Sequence, residues 1–173
     1  PKDMTTPDVA TMSIGQSIAV TPMQLITAMS GIANKGQLLK PHIIKEIKNE
    51  DNSIFQEFAV QGVNQVITAE KAQELTMMLE KVVRDGGGKL AAVKGYRIAG
   101  KTGTAEKLND NGIGYKAGHY IASFCGFAPV DDPKFTVLVV LDDPSKVNYY
   151  GGQIAAPIAH DIFSGIFRYL KIE

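Results

Sequence analysis

The chain is poor in the residues that staple small proteins or gather metals. Its one cysteine, Cys125, excludes an internal disulfide and any cysteine-rich zinc site. That thiol sits in an apolar, strand-like run and reads as a buried, inert side chain. An excess of one charge is missing too. Eighteen basic residues balance eighteen acidic ones, which argues against a nucleic-acid surface or a polybasic membrane surface. No apolar run approaches the roughly 18 residues needed to cross a membrane, and no secretory signal is visible. The first residue is Pro1 rather than Met, so an excised piece is expected, with any signal or anchor upstream. Histidine is scarce. His42, alone after Pro41, reads as structural or exposed. His160 and Asp161 are sequence neighbours and point about 100° apart on a helix, so they make a poor pair.

What is present belongs to an ordinary globular chain. Its 173 residues, 45% apolar and 21% charged, suit one domain with a sizeable core. Residues 1–9 are rich in Pro and Thr and read as irregular. Thr21-Pro22 is a strong helix start, with Thr as N-cap and Pro in the first turn. Leu25, Ile26, Met29 and Ile32 then recur at helical spacing, and Gly36 can supply the left-handed cap. Residues 38–47 and 54–60 flank a polar run and read as a two-stranded excursion. Thr68 starts a second helix, whose apolar stripe is Ala72, Leu75, Met78, Leu79, Val82 and Val83. Gly86-Gly87-Gly88 stops it. Lys89 follows that triplet, but no Ser or Thr comes next, so a flexible turn is expected rather than a phosphate cradle. Residues 135–141 form a continuous apolar run of strand length, expecting cover on both faces and partners on both edges. Asp142 and Asp143 mimic a metal pair, yet before Pro144 they read as a turn. Residues 154–170 read as a terminal helix with Ile158, Ile162, Ile166 and Tyr169 on its apolar face.

The dense chemistry lies in Arg97-Ile98-Ala99-Gly100-Lys101-Thr102-Gly103-Thr104-Ala105-Glu106. Alternation along a strand puts Lys101 and Gly103 on one side, and Thr102 and Thr104 on the other. Glycine in a strand lets a ligand or another backbone approach closely. A charge, two hydroxyls and open N–H groups suit an anion such as a carboxylate. A second pattern competes. Gly95-x-x-x-x-Gly100-Lys101-Thr102 matches a phosphate-binding P-loop, and the 136–143 run mimics the strand that ends in a magnesium-binding Asp. A P-loop needs a helix starting at the Lys-Thr pair. Here Gly103, Asn109-Asp110-Asn111-Gly112, Gly114 and Gly118 follow, so a strand, a long turn and a strand over 119–127 are expected instead.

Lys101-Thr102-Gly103-Thr104 resembles the Lys-Thr-Gly element of penicillin-binding proteins and serine β-lactamases. The resemblance runs from about Ser13 to about Leu170. It includes the segment beginning Ser13-Ile-Gly-Gln-Ser, Ala33-Asn-Lys-Gly with Lys40-Pro41-His42, Gly95 to Gly100, residues 124–129 and Tyr149-Tyr150-Gly151-Gly152. Class B, monofunctional transpeptidases of the sporulation or division type look most similar. Ser17 departs from the Gly that the family often has.

The resemblance implies an α+β fold: a five-stranded antiparallel sheet flanked by helices. It is incomplete here, because two strands would come from elsewhere. Residues 1–173 would be the C-terminal portion of one transpeptidase domain. The family's serine, in Ser-x-x-Lys, attacks the penultimate D-alanine carbonyl of a peptidoglycan stem peptide, and Ser-x-Asn aids proton transfer. Neither motif occurs: Ser13, Ser17, Ser30, Ser53, Ser123, Ser145 and Ser164 all lack Lys three residues on and Asn two residues on. Ser17 also makes a near miss to a Gly-x-Ser-x-Gly elbow, but no strand-to-helix turn surrounds it. Nucleophile and metal are therefore expected to be absent from this chain, with no cofactor.

By the same resemblance, Lys101 orients the proton-transfer network. Thr102 and Thr104 hold the terminal carboxylate of D-Ala-D-Ala or of a β-lactam, and Gly103 gives the substrate room. The Thr104 backbone N–H is one oxyanion donor, a contact worth about 3 kcal/mol in acyl transfer. The implied partners are stem peptides, β-lactams, and either the missing N-terminal half or another copy of the chain. The implied place is the extracytoplasmic face of the bacterial cytoplasmic membrane, reached through an upstream anchor. The other expectations to test are a P-loop nucleotide hydrolase and a non-catalytic module that binds peptidoglycan or a partner.

Overall fold

The computed structural model describes residues 4–16, 18–112, 114–144 and 148–172. Ser17 and Ser145, two of the serines weighed above, lie outside the described residues. Helices cover both faces of a three-stranded antiparallel sheet, and two small two-stranded sheets stand beside it.

The N-terminal segment departs from the irregular reading. Helix α1 spans Thr6–Met12, because Thr5 and Asp8 close a capping box and Pro7 fits the first turn. Helix α2, Pro22–Ala33, starts as expected, with Thr21 and Gln24 capping each other. It stops at Gly36, whose φ of 86° is left-handed; a Cβ there would lie 2.1 Å from the Ile67 carbonyl oxygen.

The excursion holds four strands rather than two. β1 (Gln37–Leu39) pairs with β4 (Gly62–Gln65), and β2 (Glu46–Lys48) pairs with β3 (Ile54–Glu57). The hydrophobic pattern misses β4 because it alternates on an exposed surface and buries no residue. Helix α3, Ala69–Arg84, is capped by Thr68 and ends with Lys81 and Arg84 in its last turn. Of its expected stripe, Ala72 and Val83 are buried, whereas Leu75 and Met78 are 38% and 61% exposed. The narrow sheet covers only part of that face.

The main sheet has the order β5 (Ala99–Leu108), β6 (Tyr115–Ala128), β7 (Phe135–Asp142). Thus β6 is longer than the expected 119–127 strand. β7 pairs on one edge only among the described residues: the run at 135–141 alone reads as a central strand, and with two strands of the family's sheet coming from elsewhere it is left with an open apolar edge, as the resemblance implies. Its two faces are nonetheless covered. Val137 and Val139 pack with Phe163 and Phe167, while Leu138 packs with Met29 and Phe127.

Helix α4, Gly151–Leu170, begins three residues before the expected start. Its buried face is Ala155, Ala156, Ala159, Phe163 and Phe167. Of the face expected from the large aliphatics only Ile166 packs against the core, while Ile158, Ile162 and Tyr169 are 40%, 38% and 84% exposed. Three alanines let the helix axis approach the sheet closely. The two phenylalanines then fill the wider end, where Phe135 meets both rings and Tyr96 stacks on Phe167.

Candidate functional site

Strand β5 has its Lys101–Thr104 stretch on the sheet's outer edge. Cross-strand register sorts its side chains. Lys101 lies opposite Cys125 and Gly103 opposite Ser123, on the face toward α2. Thr102 lies opposite Phe124 and Thr104 opposite Ala122, on the face toward α4. The alternation read from sequence is therefore what the fold contains. It also separates the candidates, because Lys101 does not share the hollow that the threonines line. The Lys101 ammonium is exposed and donates to the Thr102 carbonyl at 2.7 Å.

Three backbone segments meet at the threonines, and two glycines at the start of α4 make the approach possible. A Cβ on Gly151 would lie 2.2 Å from the Gly103 carbonyl oxygen and 2.4 Å from that of Ser123. A Cβ on Gly152 would lie 2.3 Å from the Gly87 carbonyl oxygen. The start of α4 is thus seated against both β5 and the glycine turn after α3. The Gly151 N–H donates to Thr104 Oγ1 at 3.0 Å, so the positive end of a 20-residue helix is aimed at this hydroxyl. With that oxygen accepting, the Thr104 O–H remains a donor toward the open side. Gly103 has its own constraint: a Cβ there would lie 2.4 Å from Ser123 Oγ.

Around this junction opens a cleft of about 450 Å³, lined by Thr102, Thr104, Gly87, Lys89, Leu90, Tyr150, Gly152 and Gln153. Its size suits a dipeptide or a small drug. Tyr150 stands on its rim beside Tyr149, which stacks on Tyr120 with ring centres 3.9 Å apart. The hydrogen bond shared with Tyr149 holds the Tyr150 phenol above its usual pKa. Tyr150, Gly151 and Gly152 entered the sequence analysis only as part of the family resemblance, with no role at the site; the further signal was two glycines immediately before a helical pattern.

The flanking ion pairs were also not legible. Arg97 grips both oxygens of Glu80 on α3, at 2.6 and 2.7 Å, and reaches Asp131 at 2.5 Å. The Arg97 guanidinium holds the Glu80 carboxyl below the usual carboxylate range. Asp142 and Asp143 are taken by basic partners: Lys107 pairs with Asp142 at 2.8 Å and His119 with Asp143 at 2.7 Å. The turn reading of this pair is supported by Asp143, whose φ is 55°. His42 is exposed, and His160 meets the Ala92 carbonyl rather than Asp161.

The P-loop reading fails on this geometry. Lys101 and Thr102 lie in mid-strand, and β5 continues to Leu108 where a helix would have to start.

Comparison with known proteins agrees with the site. The family model described as penicillin binding protein transpeptidase domain matches residues 4–164. Stage V sporulation protein D of Bacillus subtilis (strain 168) is 41% identical over 154 residues, covering 88% of this chain and 24% of that protein. Peptidoglycan D,D-transpeptidase FtsI of Escherichia coli (strain K12) is 36% identical over 166 residues, covering 95% of this chain and 26% of that protein. Penicillin binding protein 3 from Mycobacterium tuberculosis, solved in complex with ampicillin, superposes with a TM-score of 0.84 at 31% identity, covering 99% of this chain and 40% of that one. This chain spans about a quarter of the length of the curated relatives it matches. Its helices and antiparallel sheet are those of the α+β penicillin-binding fold, and the chain belongs to the penicillin-binding protein transpeptidase family.

Proposed function

We propose that this chain is the C-terminal, substrate-binding portion of a serine-type peptidoglycan D,D-transpeptidase domain. One observation carries the reading: Thr102 and Thr104 stand side by side on an edge strand, lining a cleft at the start of α4. Two hydroxyl donors beside a helix N-terminus suit a carboxylate. In this reading they hold the terminal carboxylate of D-Ala-D-Ala or the equivalent carboxylate of a β-lactam. Alternate N–H groups of an edge strand point away from the sheet, so the scissile acyl group lies along β5 with the Thr104 N–H as one oxyanion donor. Gly103 keeps this approach open. Lys101, on the other face, serves the proton-transfer network of the nucleophile.

The nucleophile comes from outside these residues, since no serine here begins Ser-x-x-Lys. The missing half of the domain carries it and covers the Lys101 face. Its serine adds to the penultimate D-alanine carbonyl, the terminal D-alanine leaves with a proton, and the acyl group then passes to an amine of a neighbouring stem peptide. The parent protein works at the extracytoplasmic face of the bacterial cytoplasmic membrane, held by an anchor upstream of this chain.

The test is the intact mass of this chain after incubation with ampicillin, alone and with the upstream polypeptide. The expected result is an adduct on the upstream polypeptide only, and only when both are present. A stable adduct on this chain would overturn the reading. No adduct anywhere, with carboxylate peptides still bound, would favour a non-catalytic binding module.

A further inference from the structure

Lys89 has no place in the reading above. It follows the Gly86-Gly87-Gly88 turn and opens a single 3-10 turn, Lys89–Ala91. That turn is fixed rather than loose. Gly88 N–H donates to the Val82 carbonyl, Lys89 N–H to Gly86, and Ala91, fully buried, joins the core with Val83 and Phe163. The backbone under Lys89 is therefore held by α3 on one side and α4 on the other. Lys89, an exposed residue, is among those that line the same cleft as Thr102 and Thr104. Its ammonium has neither a hydrogen-bond nor an ion-pair partner among the described residues. None of the eight residues lining the cleft is acidic. In a chain with no net charge, this hollow gathers a cation, two hydroxyl donors and a helix N-terminus.

We propose that Lys89 is a second anion contact of this cleft, taking a carboxylate other than the one held by Thr102 and Thr104. The favoured ligand class is then a dicarboxylate. For a stem peptide this means a carboxylate on a residue preceding the terminal D-Ala-D-Ala. For a β-lactam it means an anionic acyl side chain. The two threonine hydroxyls match one carboxylate, so the Lys89 ammonium remains for another. Lys rather than Arg suits this task, because a flexible point charge follows a ligand group whose position varies. The proposal deepens the transpeptidase reading and rests on it.

The test compares two penicillins that share a phenyl ring and the nucleus carboxylate. Carbenicillin carries a carboxylate on its side-chain carbon where ampicillin carries an ammonium. Acylation is followed in the complete domain, this chain together with its nucleophile-bearing portion. Lys89→Ala is expected to lower the second-order acylation rate by carbenicillin about tenfold, and to weaken its salt dependence. The ampicillin rate is expected to stay within about twofold or to rise slightly, because its side-chain ammonium is repelled by the Lys89 ammonium across solvent. Lys89→Arg restores most of the carbenicillin rate, and Lys89→Gln behaves as Lys89→Ala. A merely structural role would lower both rates together, without rescue by Arg. An equal loss for both penicillins, or no loss for either, overturns the proposal. If the complete wild-type domain is acylated by neither, the transpeptidase reading itself falls.

Discussion

Thr104 does two jobs with one hydroxyl. Its oxygen accepts from Gly151 N–H, and its proton is left for a ligand. Thr104→Val removes both, so the variant domain should lose about 1 kcal/mol of stability and be acylated more slowly by ampicillin, by at least about tenfold. Thr104→Ser should keep most of both. Thermal unfolding and acylation rates measured on the same samples separate the two losses. Cys125 makes the opposite case, a reactive group silenced by its surroundings. Burial against Met29, Ala99 and Phe127 pushes its thiol up to about 12, from an ordinary 9. Native protein at pH 8 should therefore resist a thiol reagent and react only on unfolding. The sign follows for stability: between pH 9 and about 12 the unfolded thiol ionises while the folded one stays neutral, so stability declines as pH rises through that window.

Between elements, the clearest tie is Arg97 to Glu80, which pins the entry of β5 to α3. The pair is bidentate, with the Glu80 side chain 15% exposed and that of Arg97 52% exposed, so solvent screens it in part. Because Arg97 lowers the Glu80 pKa, the pair's contribution is present above the ordinary carboxylate value and is lost as pH falls through the folded-state pKa. Arg97→Ala should cost about 1 kcal/mol at pH 7 and less at pH 3, read from urea denaturation. Arg97→Lys should recover only part, since an ammonium cannot span both oxygens. A cost independent of pH would assign Arg97 to packing instead. The β2–β3 hairpin is the reverse situation. Ile43, Ile54 and Phe55 are 99%, 56% and 70% exposed, and a lone two-stranded hairpin is marginal in water.

For the molecule as a whole, the edge of β7 left open among the described residues matters most. An apolar strand paired on one side is a template for a second chain. This chain on its own should self-associate with rising concentration, as read by sedimentation. Val140, 40% exposed on that strand, is the place to test it: Val140→Lys should shift the distribution toward monomer. Adding the upstream polypeptide should do the same by pairing with the edge. A wild-type chain that stays monomeric at all concentrations would show that the edge is already protected.

Local sequence determined a good deal of this protein. Thr21-Pro22 and Thr68 set helix starts, because capping and the fixed φ of proline act within one turn. The glycines and turn residues after Thr102 ruled out a P-loop helix, and strict alternation sorted Lys101 from Thr102 and Thr104. Tertiary structure decided the rest, because those choices depend on distances the chain order does not contain. The apolar face of α4 is set by how closely three alanines let it approach the sheet, rather than by its larger aliphatics. The pairing of Arg97 with Glu80 spans 17 residues and that of His119 with Asp143 spans 24. The cleft depends on Gly151 and Gly152, which let the start of α4 touch the backbones of Gly87, Gly103 and Ser123, all distant from it in sequence.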